Sequence, residues 1–178
     1  YSVDVPNALP EGPYNVEASV TDPAGNTGTA HDTGSVDSNV SISVDAPDLT
    51  NDNTPTITGR TDAEAGQVVT VVITDAAGHV QTVSTTVKAD GTYSVDAETP
   101  LADGDYTAQA TVSDKAGNTA TATDPGTVDT TATISVNAPD GNDSTPTIAG
   151  QTNDVEAGQV VTIVITDSEG NTQTVTAV

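Results

Sequence analysis

The chain has no cysteine, no methionine, no tryptophan and no phenylalanine, and four tyrosines are all it has of the large aromatics. Without cysteine there is no disulfide scaffold, no thiolate metal site and no thiol nucleophile. Small domains outside the cell often lean on disulfides; this chain must be held by packing, hydrogen bonds or bound ions. Basic residues are also scarce, three Lys plus Arg against 26 Asp plus Glu, for a formal net charge of -23. Nucleic acid and anionic membrane are thereby excluded as natural partners, because phosphate binding is driven by Lys and Arg releasing counterions. No apolar run approaches the ~18 residues of a membrane span, so direct membrane insertion is not expected. The chain opens at Tyr1 with neither an initiator Met nor a signal peptide, and reads as a segment of something longer.

What is present is a repeat. Asn51-Asp-Asn-Thr-Pro-Thr-Ile57 returns as Asn142-Asp-Ser-Thr-Pro-Thr-Ile148, and Glu64-Ala-Gly-Gln-Val-Val-Thr70 as Glu156-Ala-Gly-Gln-Val-Val-Thr162, with one residue gained after Thr152. Tyr1-Ser-Val-Asp4 returns as Tyr93-Ser-Val-Asp96, and Asp37 as Asp129, a period near 92 residues. That is domain-sized, much longer than the ~20–50 residues of a solenoid repeat, so each full copy should own a core. The boundaries fall as the C-terminal half of one repeat (1–37), one complete repeat (38–129) and the N-terminal half of a third (130–178).

Within the complete repeat, runs of Val, Ile and Thr alternate apolar with polar and are punctuated by Gly, Asp, Asn and Pro, the mark of half-buried strands. Strands are expected at about 40–45, 55–60, 67–74, 80–87, 92–96, 105–113 and 118–128, with no stretch at helical spacing. Seven short strands in this length make an all-β, Ig-like Greek-key sandwich, repeated in tandem. Asp75-Ala-Ala-Gly78 and Asp114-Lys-Ala-Gly117-Asn118 read as hairpin turns, with His79 in a turn that calls for positive φ. Leu101-Ala-Asp-Gly-Asp-Tyr106, echoed by Leu9-Pro-Glu-Gly-Pro-Tyr14, sits where a tyrosine corner would pin the crossover between the fifth and sixth strands.

The Asn-Asp-x-Thr-Pro-Thr-Ile opening, the Glu-Ala-Gly-Gln-Val-Val-Thr strand, the Asp-x-Ala-Gly-Asn turn and the Thr-Val-Asp-Thr-Thr-Ala linker together resemble the bacterial Ig-like repeats of giant, biofilm-associated RTX-type adhesins, which Gram-negative bacteria export by type I secretion. The resemblance covers the whole chain. It implies an extender region on the bacterial cell surface, whose sandwiches are stiffened by calcium at their junctions and carry a distant ligand-binding tip.

Topology gives a separate reason to look for a cation. Successive connections of a seven-strand sandwich alternate between its poles, so one pole of the complete repeat gathers Asp62 and Glu64, Asp90, Asp114 and, from the incoming linker, Asp37. Such a cluster repels itself unless a cation sits among the acids, and calcium takes six to eight hard oxygen ligands in flexible geometry. At the next junction the same construction offers Asp129 with Asp154 and Glu156. Asp90 already has a role in an Asp-Gly turn. Asp48, Asp52, Asp75, Asp96, Glu98 and Asp103 belong to the opposite pole.

Catalysis is not expected. His31 and His79 stand at variable repeat positions, and there is no G-x-S-x-G elbow, no His-Glu-x-x-His pair and no glycine loop followed by Lys. An alternative to the spacer is that the repeats themselves bind a glycan, a host protein or an ice surface through threonine rows such as Thr119-Ala-Thr121-Ala-Thr123. The half-repeats at the two ends together supply one period, so head-to-tail completion between molecules is a further expectation.

Overall fold

The computed structural model describes all residues, Tyr1–Val178, and contains strands and turns only. The chain divides into two compact units, Tyr1–Asp129 and Thr130–Val178. The first opens with a hairpin of β1 (Gly12–Thr21) and β2 (Thr27–Val36), followed by the complete repeat: β3 (Ile42–Asp45), β4 (Thr56–Thr61), β5 (Val68–Thr74), β6 (Val80–Thr86), β7 (Thr92–Asp96), β8 (Gly104–Ser113) and β9 (Thr119–Val128). The second unit holds two antiparallel pairs, β10 (Thr133–Asn137) with β11 (Ala149–Asn153), and β12 (Val161–Thr166) with β13 (Thr172–Ala177).

In the complete repeat a three-stranded sheet, β3-β4-β7, faces a four-stranded sheet, β6-β5-β8-β9. The alternation in sequence becomes alternation in burial. Val69, Val71 and Ile73 of β5 are fully buried, as are Tyr106, Ala108, Ala110 and Val112 of β8, while the residues between them face outward or lie half-buried. β5 is central, pairing Val71 with Val83 of β6 and with Ala110 of β8. Small alanines opposite valines let the sheets close over a core without Phe or Trp. Fully burying each of these aliphatic side chains contributes roughly 1.5–3 kcal/mol.

The seven strands fall within one or two residues of their expected places. Their partition differs from the constant-type Ig arrangement, in which the fourth strand joins the fifth: here β6 stays beside β5. The connecting turn explains it, since the Asp75 amide donates to the His79 carbonyl (3.0 Å) and folds β5 directly back on β6. The left-handed residue of that turn is Gly78 (φ 83°), and His79 does not share it.

The tyrosines also differ from expectation. Tyr106 lies inside β8, and its hydroxyl donates to the Pro47 carbonyl (3.2 Å) in the β3–β4 connection, so it ties sheet to sheet. A tyrosine corner bonds to backbone only a few residues upstream. Tyr93 on β7 stays within its own sheet, reaching past β4 to donate to the Ser43 carbonyl of β3 at 2.6 Å. Each ring lies over the glycine paired with it across the strands: a Cβ on Gly126 would sit 2.5 Å from the Tyr106 ring, and one on Gly59 2.4 Å from that of Tyr93. Glycine in a strand normally weakens it; here it is the floor on which a tyrosine rests.

Candidate functional site

The pole from which the linker enters is assembled by backbone bonds between loops. The Thr61 amide donates to the Gly91 carbonyl (2.9 Å) and the Gly66 amide to that of Val87 (2.8 Å), drawing the β4–β5 and β6–β7 connections together. Four of the acids expected at this pole are each tied to an N–H donor. Asp62 accepts the Ser41 amide on Oδ1 at 2.7 Å, Glu64 accepts the Lys115 amide on Oε2 at 3.1 Å, and the Asn118 side-chain amide bridges Asp114 Oδ2 (2.8 Å) to the Asp37 carbonyl oxygen (3.2 Å) and Oδ1 (3.4 Å). Asp90 stands aside, closing its own turn on the Thr92 amide (3.1 Å) and hydroxyl (2.7 Å).

The electrostatics agree with this wiring. The Ser41 amide holds the Asp62 carboxyl below its ordinary value, against the opposing charge of Asp114. Asp114 is buried and is likewise held low, first by the Asn118 side chain, although burial works against it.

The donor set therefore suits calcium in kind: hard carboxylate and carbonyl oxygens from the linker, the β4–β5 loop and the β8–β9 turn. It is not a ready-made cage. No group of three His, Asp or Glu residues converges closely enough to hold a metal ion. A bound cation would have to draw Asp37, Asp62, Glu64 and Asp114 in from their N–H partners.

The linker has a further grip that the acid count overlooks. Glu11, just ahead of β1, accepts the Ser38 amide (3.0 Å) and hydroxyl and the Asn39 side-chain amide (3.0 Å). Its signal in the sequence is positional, because Glu11 and Asp103 occupy the same place in the repeat, one residue before a strand whose partner runs straight into a linker.

The acids expected at the later junction belong to different units. Asp129, at the end of the first, donates its amide to the Thr50 carbonyl at 2.9 Å. In the second, Asp154 and Glu156 are both exposed, and Asp154 is the one non-glycine residue with positive φ (56°). Asp154 is the residue gained in this copy of the loop, and Asp tolerates the left-handed region better than most. The place of Asp62 itself is taken by Asn153, whose side chain reaches the Thr133 hydroxyl (3.4 Å).

At the other pole the informative acid is Asp75. Its carboxylate is nearly sealed from solvent and takes four N–H bonds: Ala77 (3.0 Å) and His79 (2.8 Å) amides on Oδ1, the Ala102 amide and His79 Nδ1 (both 3.1 Å) on Oδ2. Burial pushes its pKa up, but the Ala102 and His79 donors outweigh burial and set it at about 2. The residue joins the β5–β6 turn to the β7–β8 connection. His79 is thus the outer partner of a structural carboxylate.

The threonine row on β9 is engaged across its sheet. Thr121 shares a hydrogen bond with Thr111 (3.1 Å), Thr119 with Ser113 (2.8 Å), and Thr123 accepts from Gln109 (3.4 Å).

A bacterial Ig-like domain family model matches residues 30–130, and a second bacterial Ig-like model matches residues 2–39. The chain belongs to the bacterial Ig-like domain family. Among solved structures it is similar to a tetra-tandem repeat in the extending region of a large adhesion protein, at 34% identity over 95% of this chain and 46% of that one, with a TM-score of 0.51. The chain thus spans about half of that structure. Two further similar structures, each at 24% identity, are a Ca2+-stabilized adhesin that helps an Antarctic bacterium reach out and bind ice (93% of this chain, 55% of that one, TM-score 0.37) and a 1.5-MDa bacterial ice-binding adhesin (94% and 73%, TM-score 0.40). No curated protein matches the chain.

Bacterial Ig-like repeats of this kind are structural, non-enzymatic domains. Within them the Asp-x-x-Gly-Asn segment is a self-contained lock. Asp22, Asp114 and Asp167 each accept the amide of the Asn four residues on (2.8 Å in all three) through Oδ1 and that residue's side-chain amide through Oδ2. The Asn118 side chain spends its remaining capacity on the linker, which makes this turn of the Ig-like domain part of the joint.

Proposed function

We propose that the chain is part of the extender region of a large adhesin on the bacterial cell surface, a spacer that holds a distant ligand-binding tip away from the cell and serves adhesion and biofilm formation. The observation that carries this reading is the likeness along 95% of the chain to repeats from the extending region of a large adhesion protein. Its partners would be neighbouring Ig-like repeats and calcium ions.

Calcium is proposed as the agent of stiffness. Asp37, Asp62, Glu64 and Asp114 would hold it at the first joint, with Asp129, Asp154 and Glu156 serving the second. The support is that Asp62 holds the Ser41 amide and that the Asn118 side chain links Asp114 to Asp37, where the chain passes from one repeat to the next. For a Kd of about 0.1 mM and free calcium of about 1 mM, binding contributes roughly 1.4 kcal/mol per site, modest for folding but sufficient to select one linker orientation of two. The test is small-angle scattering of a multi-repeat chain with calcium and with EDTA: the maximum dimension should shrink on chelation, and an unchanged value removes the mechanism. Direct binding of a glycan, protein or ice surface is less favoured, since the β9 hydroxyls are already bonded to their cross-strand neighbours.

A further inference from the structure

The chain holds three Asp-Gly steps, Asp90–Gly91, Asp103–Gly104 and Asp140–Gly141, and no Asn that precedes a Gly. An aspartate followed by glycine is the step most open to internal cyclisation, because glycine has no side chain to crowd its nitrogen and its backbone turns freely. The nitrogen must be released from hydrogen bonding and the carboxyl must be able to swing toward it. The fold therefore decides which of the three can react.

Two of them are held. The Asp90 carboxylate is taken by the Thr92 amide (3.1 Å) and hydroxyl (2.7 Å), while the Gly91 amide donates to the Lys88 carbonyl (3.0 Å). Both reacting groups of that step are engaged. Gly104 opens β8 in register with Val128, at φ 117°, so cyclising there would break the first pair of the β8–β9 ladder.

Asp140–Gly141 is neither bonded nor in a strand. It lies between β10 and β11 with both residues exposed. The Asp140 carboxylate and the Gly141 amide have no hydrogen-bond partner. The nearest atom to where a Cβ on Gly141 would stand is the Asp143 nitrogen, at 3.9 Å. The complete repeat shows that this place is open when all seven strands are present. Ala46-Pro-Asp48 corresponds to Ala138-Pro-Asp140, and there Asp48 is exposed and Leu49 is 62% exposed. Leucine shields its own nitrogen, so the earlier copy carries the same place in an unreactive form.

We infer that Asp140–Gly141 is a site of self-modification, where the chain converts aspartate to isoaspartate through a cyclic imide. The Gly141 nitrogen attacks Cγ of Asp140, and the hydroxyl of the carboxyl group leaves with the nitrogen's proton as water. Water then adds to one of the two imide carbonyls and breaks its bond to nitrogen. Opening at the main-chain carbonyl leaves the backbone running through Cβ, which is isoaspartate; opening at the other restores aspartate. The net change is an isomerisation that needs no oxidant, reductant or calcium. Cysteine and methionine, the usual seats of oxidative damage, are absent from this chain, whereas this backbone route stays open at one point.

The test is prolonged incubation of the whole folded chain at neutral pH, followed by isoaspartyl methyltransferase labelling and peptide mapping. Label on the Asp140 peptide should exceed that on the Asp90 and Asp103 peptides by roughly tenfold or more, because structure protects the latter two, and in urea the three should approach one another. The Asp48 peptide should stay unlabelled. Gly141→Val, at an exposed position whose φ is not left-handed, should suppress the label with the circular dichroism unchanged. Equal labelling of the three peptides in the folded chain would overturn the inference. So would label at Asp140 that survives Gly141→Val, or a folded chain unlabelled at Asp140 over a period in which the urea-unfolded chain is labelled at all three.

Discussion

Asp75 shows how a single side chain in this acidic protein can be structural. Its folded pKa of about 2 lies below the ordinary carboxylate value of about 3.9, so the stability it contributes is present above pH 4 and is lost as pH falls through 2. Acid unfolding followed by circular dichroism should therefore show a steep limb between about pH 4 and pH 2, and Asp75→Asn should flatten it while lowering stability at neutral pH. The tyrosine-over-glycine pairs give a second test. Gly→Ala in a strand usually gains about 0.5–1 kcal/mol, but at Gly126 the new methyl meets the Pro47 carbonyl at 2.4 Å and the Tyr106 ring at 2.5 Å. Gly126→Ala should cost about 1–3 kcal/mol by thermal unfolding, while Gly28→Ala, with its nearest neighbour at 3.9 Å, should cost nothing.

Among the strands, β5 is paired on both sides and buries every second residue. Ile73→Ala is expected to destabilise by about 2–5 kcal/mol, and Val68→Ala, at an exposed end of the same strand, by less than about 0.5 kcal/mol. Strand positions were legible in the sequence because the period-two pattern and the Gly, Asp and Asn breaks are local signals. The two hairpins were legible too, from their Asp-x-x-Gly turns, but contacts distant in sequence were not. The tyrosine motif suggested a local corner, whereas the Tyr106 hydroxyl finds Pro47, 59 positions back in sequence; nothing within a few residues of Tyr106 encodes that choice. The sequence puts His79, in the place of Asn171, in a turn that calls for positive φ, yet the preceding glycine takes the left-handed conformation and the side chain at this place serves the Asp.

The whole molecule is a polyanion, and some of its acids serve as turn locks while others stand at the joint. The loop topology of a sandwich was enough to bring Asp37, Asp62, Glu64 and Asp114 to one pole from sequence. It was not enough to see that each is already engaged by an N–H, or that Glu11 grips the linker from the preceding half-repeat. If the joint is to close on calcium, Asn118→Ala should loosen residues 37–41 in EDTA and leave the calcium form little changed, as read by amide hydrogen exchange. Greater exchange in both conditions would assign the joint's order to the amide alone.

At the far end of the complete repeat Thr50 forms a parallel bridge to Val128, with the Thr50 amide on the Thr127 carbonyl (3.0 Å) and the Asp129 amide on the Thr50 carbonyl (2.9 Å). The chain enters this repeat along β3 and leaves along β9, so a pull on its two ends loads those bonds sideways, in shear, and they must fail together instead of unzipping one by one. A repeat fastened in this way resists tension where the load leaves it, a property suited to a tether in flowing water.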